Sequence, residues 1–353
     1  MKIIFSIVIK IIIITLITFL IANISIIYFK KYIFSEKLFP RSNLRAIPEQ
    51  YQIYYQNTFN FKKNNFYTAL IGDSHVFGLG DGYYDVENKK YSFGHFLKDK
   101  YPKENFVSFG LPGVGVSEPF FFFERINQTK IHSFGQIDKI FYFIYEGNDL
   151  EDNVRKGFNL EKFNEIFLFD AYFPIIKIAK NIKNNYFKKK KERNNKIVNT
   201  YFILGVKKNI STSLQSPPFE LTDNELKYSL NLTFKILNKF KKFTDNIYII
   251  YIPSPATVLD LEEPIVAQRY FPYRNINNSL TKKQIIKKNK FIVEKIQSFS
   301  DKNQLKFYDL TQKLKKYSKI HVAYGPKDFK HPRKNVYEYI TEIISEEFLI
   351  TIN

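Results

Sequence analysis

The stretch Tyr67-Thr68-Ala69-Leu70-Ile71-Gly72-Asp73-Ser74-His75 runs from a mostly apolar segment into a turn that carries a hydroxyl beside an imidazole. A short apolar run bounded by turn residues reads as a buried strand. Gly72 lets the backbone bend sharply at its end. Ser74 is thereby placed at the strand's carboxyl edge, where open α/β sheets gather their chemistry. Outward from this point the same pattern recurs. Apolar runs at 106–109, 139–145, 246–252 and 306–310 predict further strands, and 222–243, 281–300 and 332–349 predict helices. Thr222-Asp223-Asn224-Glu225 supplies a capping signal for the first of these helices. Strands alternating with longer helical stretches from Asn65 onward argue βαβ units, and hence an α/β domain with a mostly parallel sheet.

A serine hydroxyl is a weak nucleophile until an imidazole takes its proton, and the imidazole needs a carboxylate to hold its tautomer. Ser74, His331 and Asp328, the last three residues before the His, supply these groups. Acyl transfer also needs donors for an oxyanion. Gly113, in Phe109-Gly110-Leu111-Pro112-Gly113-Val114-Gly115, offers an unobstructed backbone N–H, and Asn148, in Tyr145-Glu146-Gly147-Asn148-Asp149, offers a side-chain amide. Both follow predicted strands. Taken singly, each segment is also a common turn sequence. Asp328 to His331 reads equally as a loop closed by the next helix, with His331 as cap and Pro332 at its first position. The order of all the segments along one chain is what sets them apart.

That order, Ser, Gly, Asn, then His with an Asp three residues before it, resembles the SGNH (GDSL-type) hydrolase family from about Asn65 to the C-terminus. The resemblance implies a three-layer α/β/α sandwich of flavodoxin-like type. It implies Ser74 as nucleophile and first oxyanion donor, Gly113 and Asn148 as the rest of the oxyanion hole, His331 as base and Asp328 as its orienting carboxylate. Asp73, His75 and Asp149 are candidate pocket residues beside them. Two departures stand out. His75 replaces the family's usual Leu after the nucleophile, and it either lines the pocket or packs as an ordinary polar residue in the first turn of the following helix. Val107-Ser108-Phe109-Gly110 lacks the Asn usual before the oxyanion glycine, which leaves Gly110 beside Gly113 as a candidate, with the spacing favouring Gly113.

Composition bounds the answer. The 353 residues, 44% hydrophobic and 18% aromatic, suffice for one sizeable α/β domain with appendages and exclude a wholly disordered chain. The absence of cysteine excludes disulfides, thiolate catalysis and Cys-ligated zinc. His75, His95, His132, His321 and His331 show no paired-ligand spacing, so neither a metal nor another cofactor is expected. The net charge of +20 accompanies an abundance of Lys, Asn, Ile, Phe and Tyr without any nucleic-acid-binding motif. Nucleic acid is therefore an unlikely partner, whereas an anionic membrane or glycan fits the sign of the charge.

From Ile11 to Phe29 nineteen residues pass without a charge. At the helical rise they span about 28 Å, close to the hydrocarbon core of a bilayer. Ala22-Asn23-Ile24-Ser25 is a poor cleavage motif and there is no Cys to acylate, so residues 1–34 read as an uncleaved signal anchor. Lys2 and Lys10 precede the run and Lys30, Lys31, Lys37, Arg41 and Arg45 follow it. A bare count of positive charges puts the rest of the chain in the cytoplasm. The basic start of a signal anchor and the family's habit point the other way, to a single-pass protein of the inner membrane with its catalytic domain outside.

Residues 35–64, broken by Pro40 and Pro48, read as a stalk, and 65–353 as the catalytic domain with a basic insertion near 155–221. Within the insertion Ile175, Ile176, Ile178, Ala179, Ile182 and Phe187 form one face of a basic amphipathic helix ahead of Lys188 to Lys191, unless the region is a solvated loop. Together these readings imply a membrane-anchored serine esterase or O-acyltransferase acting on acyl, foremost acetyl, esters of envelope glycans. The alternative is a catalytically silent SGNH-like domain that binds glycan or scaffolds an envelope assembly, which requires a missing or misaligned triad. The acyl group, the acceptor and any protein partner are not encoded in a legible way.

Overall fold

The computed structural model describes residues 2–33, 52–53, 56, 66–85, 90–129, 134–155, 174–176, 178, 197–326 and 328–349. The chain divides into two compact units, Met1–Thr58 with Asn159–Lys191, and Phe59–Phe158 with Glu192–Asn353.

The first unit contains helix α1 (Lys2–Ile33), whose segment Val8–Phe29 is long and apolar enough to cross a membrane. Its large apolar side chains, among them Ile14, Leu16 and Leu20, are exposed. Two of the polar side chains along it, Thr15 and Asn23, bond backwards to backbone carbonyls one turn earlier. Thr15 Oγ1 donates to the Ile11 carbonyl (2.8 Å) and Asn23 Nδ2 to that of Phe19 (2.8 Å). An apolar solvent makes such internal satisfaction obligatory. Asn23 is buried, and its Oδ1 accepts from the Ile175 N–H at 3.5 Å. Of the expected stalk, Gln52, Ile53 and Gln56 are helical and buried. Of the expected amphipathic face, Ile175, Ile176 and Ile178 are helical, and Ala179, Ile182, Phe187 and Lys188 to Lys191 lie outside the described residues.

In the second unit the apolar runs become the strands β1 (Phe66–Gly72), β2 (Phe106–Gly110), β3 (Gln136–Tyr145), β4 (Ile247–Ile252) and β5 (Lys306–Asp309). They form one parallel sheet in the order β5-β4-β3-β1-β2. The chain thus goes outward from β1 to β2, returns across β1 to β3, and continues to β4 and β5. That reversal between β1 and β3 is the switch point at which doubly wound sheets open a crevice at the carboxyl ends of their strands. All six residues of β4 and the last six of β3 are buried, as a sheet covered on both faces requires.

The alternation of side chains sorts the helices into two layers. On one face Phe141, Phe143 and Tyr248 pack with residues of α3 (Phe93–Lys100), α8 (Thr311–Ile320) and α9 (Lys334–Ile344). Phe93 stacks on Phe143 with ring centroids 4.7 Å apart. On the other face Phe109 meets Phe123 of α4 (Ser117–Thr129) at 5.0 Å, and Tyr142 meets Phe240 of α6 (Asp223–Phe240) at 5.0 Å. Each such buried aromatic contributes about 1.5–3 kcal/mol through area removed from water. The capping box read at Thr222 is present, and α7 (Lys282–Lys302) opens with a second one between Thr281 and Gln284. The last helix begins at Lys334 with Arg333 as its cap, so neither His331 nor Pro332 belongs to it. Within the expected insertion, Asn199–Ile203 and Val206–Ile210 form an antiparallel hairpin, joined by Asp260–Leu261.

Candidate active site

Three loops reach the crevice from neighbouring strands. The loop after β1 carries Asp73 and Ser74 into the short helix α2 (Ser74–Phe77). The loops after β2 and β3, the two strands flanking β1, carry Gly113 and Asn148. The approach of these loops depends on glycines. A Cβ on Gly110 would stand 2.6 Å from the Phe77 Cα, inside α2 itself, so the end of β2 lies against the helix of Ser74 only because Gly110 has no side chain. Gly80, at φ +141°, faces the Pro332 carbonyl in the same way and lets the chain after Ser74 press against the loop that holds His331.

Ser74 Oγ lies 2.8 Å from His331 Nε2, and His331 Nδ1 lies 2.7 Å from Asp328 Oδ2. Asp328 Oδ1 accepts from the backbone N–H groups of Lys330 (2.8 Å) and His331 (3.3 Å). Burial pushes the Asp328 carboxyl up, but the hydrogen bonds and charge of His331 and these N–H groups outweigh it and hold the group below its ordinary value. Because an ionised carboxylate only accepts, Nδ1 carries the ring proton and Nε2 presents a lone pair to the Ser74 hydroxyl. The structure therefore brings Ser74, His331 and Asp328 into one hydrogen-bonded chain across 257 residues of sequence separation.

Asp73 and His75 form a second pair behind Ser74. The His75 backbone N–H donates to Asp73 Oδ1 (2.9 Å), and ring Nδ1 lies 3.1 and 3.2 Å from the two carboxylate oxygens. Asp73 Oδ2 is also 3.1 Å from Ser74 Oγ. His75 is fully buried, and its ring packs against Tyr145 at a centroid distance of 3.7 Å, the two planes tilted by 35°. The Tyr145 hydroxyl in turn donates to Gln215 Oε1 (2.6 Å) and lies 3.1 Å from the Lys330 carbonyl. Burial drives the His75 imidazole down and keeps it neutral, with Asp73 opposing. Burial pushes the Asp73 carboxyl up, and the contacts from His75 reverse this and hold it below its ordinary value. His75 thus packs in the first turn of the helix that follows Ser74, as one of the two readings expects, and is bonded there to the residue preceding Ser74.

Gly113 adopts φ +75° with open space where a side chain would stand. The Asn148 amide donates to Asp152 Oδ2 (2.9 Å), one turn along α5 (Asp149–Arg155), and Arg155 Nη2 bonds Asp152 Oδ1 at 2.5 Å. Asp149 Oδ2 closes the loop by accepting from the Tyr145 N–H (2.8 Å), and burial together with the nearby Asp73 raises its carboxyl. Glu146 is fully buried at the start of the same loop. It accepts from Tyr251 (2.9 Å), Asn289 (2.7 Å), the Ser254 N–H (2.8 Å), the Ser254 hydroxyl (2.7 Å) and Thr257 (2.5 Å). Sequence reasoning missed Asp152, Glu146, Tyr145 and Gln215. The signals were an acid four residues after Asn148, on one helical face, and a charge ending an apolar run. Gln215 carried none.

No family model matches the sequence, and no curated protein matches it by sequence. Among solved structures, the chain is similar to an extracellular lipase from Streptomyces rimosus at a TM-score of 0.37 and 13% identity, covering 80% of this chain and 99% of that one. It is also similar to a gut microbial diltiazem-metabolizing enzyme at a TM-score of 0.32 and 14% identity, covering 82% of this chain and 48% of that one. At these values neither likeness bears on the chemistry, which rests on the residues themselves. The fold and the site define an α/β domain with a Ser-His-Asp chain at its switch point.

Proposed function

We propose that this chain is a serine esterase or O-acyltransferase of SGNH type. The observation that carries the reading is the chain of hydrogen bonds from Ser74 Oγ to His331 Nε2 (2.8 Å) and from His331 Nδ1 to Asp328 Oδ2 (2.7 Å). Ser74 attacks an ester carbonyl while His331 takes its proton, and Asp328 stabilises the imidazolium that results. The Ser74 and Gly113 N–H groups and the Asn148 amide receive the oxyanion. His331 then returns the proton to the departing alcohol and leaves an acyl group on Ser74. Water as acceptor completes a hydrolysis, and a sugar hydroxyl completes a transfer.

The substrate class follows from location. A helix apolar enough to cross a membrane and a net charge of +20 favour an acylated glycan of the cell envelope, the acetyl ester foremost, with the domain on the outer side of the inner membrane. The test is hydrolysis of p-nitrophenyl acetate and longer esters by the full chain in detergent, beside Ser74→Ala and labelling by a fluorophosphonate probe. Turnover and labelling that both vanish in Ser74→Ala support the reading. A folded wild type that neither turns over nor labels overturns it.

A further inference from the structure

The Ser74 hydroxyl has one proton and two acceptors within reach, His331 Nε2 at 2.8 Å and Asp73 Oδ2 at 3.1 Å. Only the first direction is productive. With the proton turned toward Asp73, the Ser74 lone pair would face the lone pair of Nε2, and the base would have nothing to remove. A buried carboxylate directly before the nucleophile is therefore a competitor of the base, and its strength as an acceptor depends on what else it holds.

What it holds is His75. The backbone N–H and the ring Nδ1–H of this residue both donate to Asp73, the ring spanning both oxygens at 3.1 and 3.2 Å. A carboxylate already engaged on both oxygens attracts a third proton less. The ring is held for this task, since Tyr145 packs against it at a centroid distance of 3.7 Å, and the same Tyr145 hydroxyl lies 3.1 Å from the Lys330 carbonyl beside His331. The opposite ring nitrogen, Nε2, is buried and has no hydrogen-bond partner. An imidazole with one unsatisfied face is a poor choice for packing alone, and such orphaned groups in a native core call for a functional account.

We infer that His75 is a positioning residue that occupies Asp73 and so directs the Ser74 proton to His331. This rests on the serine-nucleophile reading and adds to it a reason for His where the resembled family has Leu. Asn at position 75 keeps a donor at the place of Nδ1. Leu removes it, and Gln carries its amide out to the place of Nε2.

The experiment compares wild type, His75→Leu, His75→Asn and His75→Gln as full chains in detergent, by kcat and KM on a p-nitrophenyl ester and by the rate of fluorophosphonate labelling, with thermal melting to confirm folding. His75→Leu is expected to lower kcat and the labelling rate together by about 10- to 100-fold, with KM within about twofold. His75→Asn is expected to recover most of the loss, and His75→Gln not. Wild-type rates in His75→Leu overturn the inference, as does equal behaviour of Asn and Gln, the comparison that decides if Leu fails to fold. A wild type inert to both ester and probe overturns the serine-nucleophile reading itself and removes this inference with it.

Discussion

Replacing Asp328 by Asn tests the orientation of the base with almost no change of shape. Asn keeps Oδ1, so the loop retains the two bonds from the Lys330 and His331 N–H groups at 2.8 and 3.3 Å. The change falls on the other atom. Asp328 Oδ2 accepts from His331 Nδ1 at 2.7 Å, and an amide nitrogen there can only donate. His331 must then present a lone pair at Nδ1 and carry its proton on Nε2, which points at Ser74 Oγ at 2.8 Å. The serine faces a donor where it needs an acceptor. Holding the wrong tautomer in an otherwise intact Ser-His-Asp site costs about 10³- to 10⁴-fold in kcat, which is about 4 to 5.5 kcal/mol of barrier. The assay is kcat on a p-nitrophenyl ester for the full chain in detergent, with Tm by differential scanning fluorimetry as the control. Asp328→Ala, which also loses the two backbone bonds, should lower Tm as well. If Asp328→Asn keeps kcat within tenfold of wild type at an unchanged Tm, Asp328 does not set the tautomer and the account of the base is wrong.

Asp152→Ala frees the amide of Asn148 from its 2.9 Å anchor and should lower kcat by about 10-fold at unchanged KM, less than the roughly 10²- to 10³-fold expected for Asn148→Ala; equal losses would refute a purely orienting role. Gly110→Ala should destabilise the domain by about 1–3 kcal/mol and reduce activity, because the new Cβ meets the backbone of Phe77; a wild-type urea midpoint and kcat would contradict the close approach. Glu151 is buried with one carboxylate oxygen unpartnered, and burial raises its folded value well above 4.5. Its contribution is therefore fully present below the unfolded value and is lost as pH rises through the folded one. Glu151→Gln should gain in Tm over wild type by more at pH 8 than at pH 4.5, and a pH-independent difference would refute this.

The central sheet was readable because its strands are buried on both faces and so appear as continuous apolar runs, with Ile247–Ile252 the clearest. The meeting of Ser74, His331 and Asp328 was readable because a hydroxyl, an imidazole and a carboxylate are chemically distinct residue types at recognisable turns. The hairpin 199–210 was not, since its exposed strand Val206–Ile210 reads as another charged stretch of a charged region. Asp152 was hidden for a different reason. Its spacing from Asn148 matters only once Asp149–Arg155 is known to be helical. The environment of His75 depends on Tyr145, seventy residues away, and no local pattern reports a packing partner at that distance.

Asp328 and His331 sit three residues apart on one loop, and the carboxylate binds the His331 backbone N–H as well as the ring. On the proposed mechanism the base and its carboxylate are in this sense a single prefabricated part. If the loop swings away from Ser74, one contact breaks and the imidazole keeps its partner, its tautomer and its aim. Under the proposed function, inactivation by such a displacement would be a disconnection, complete once the 2.8 Å contact is lost and undone as soon as it reforms, with no side chain to be reset.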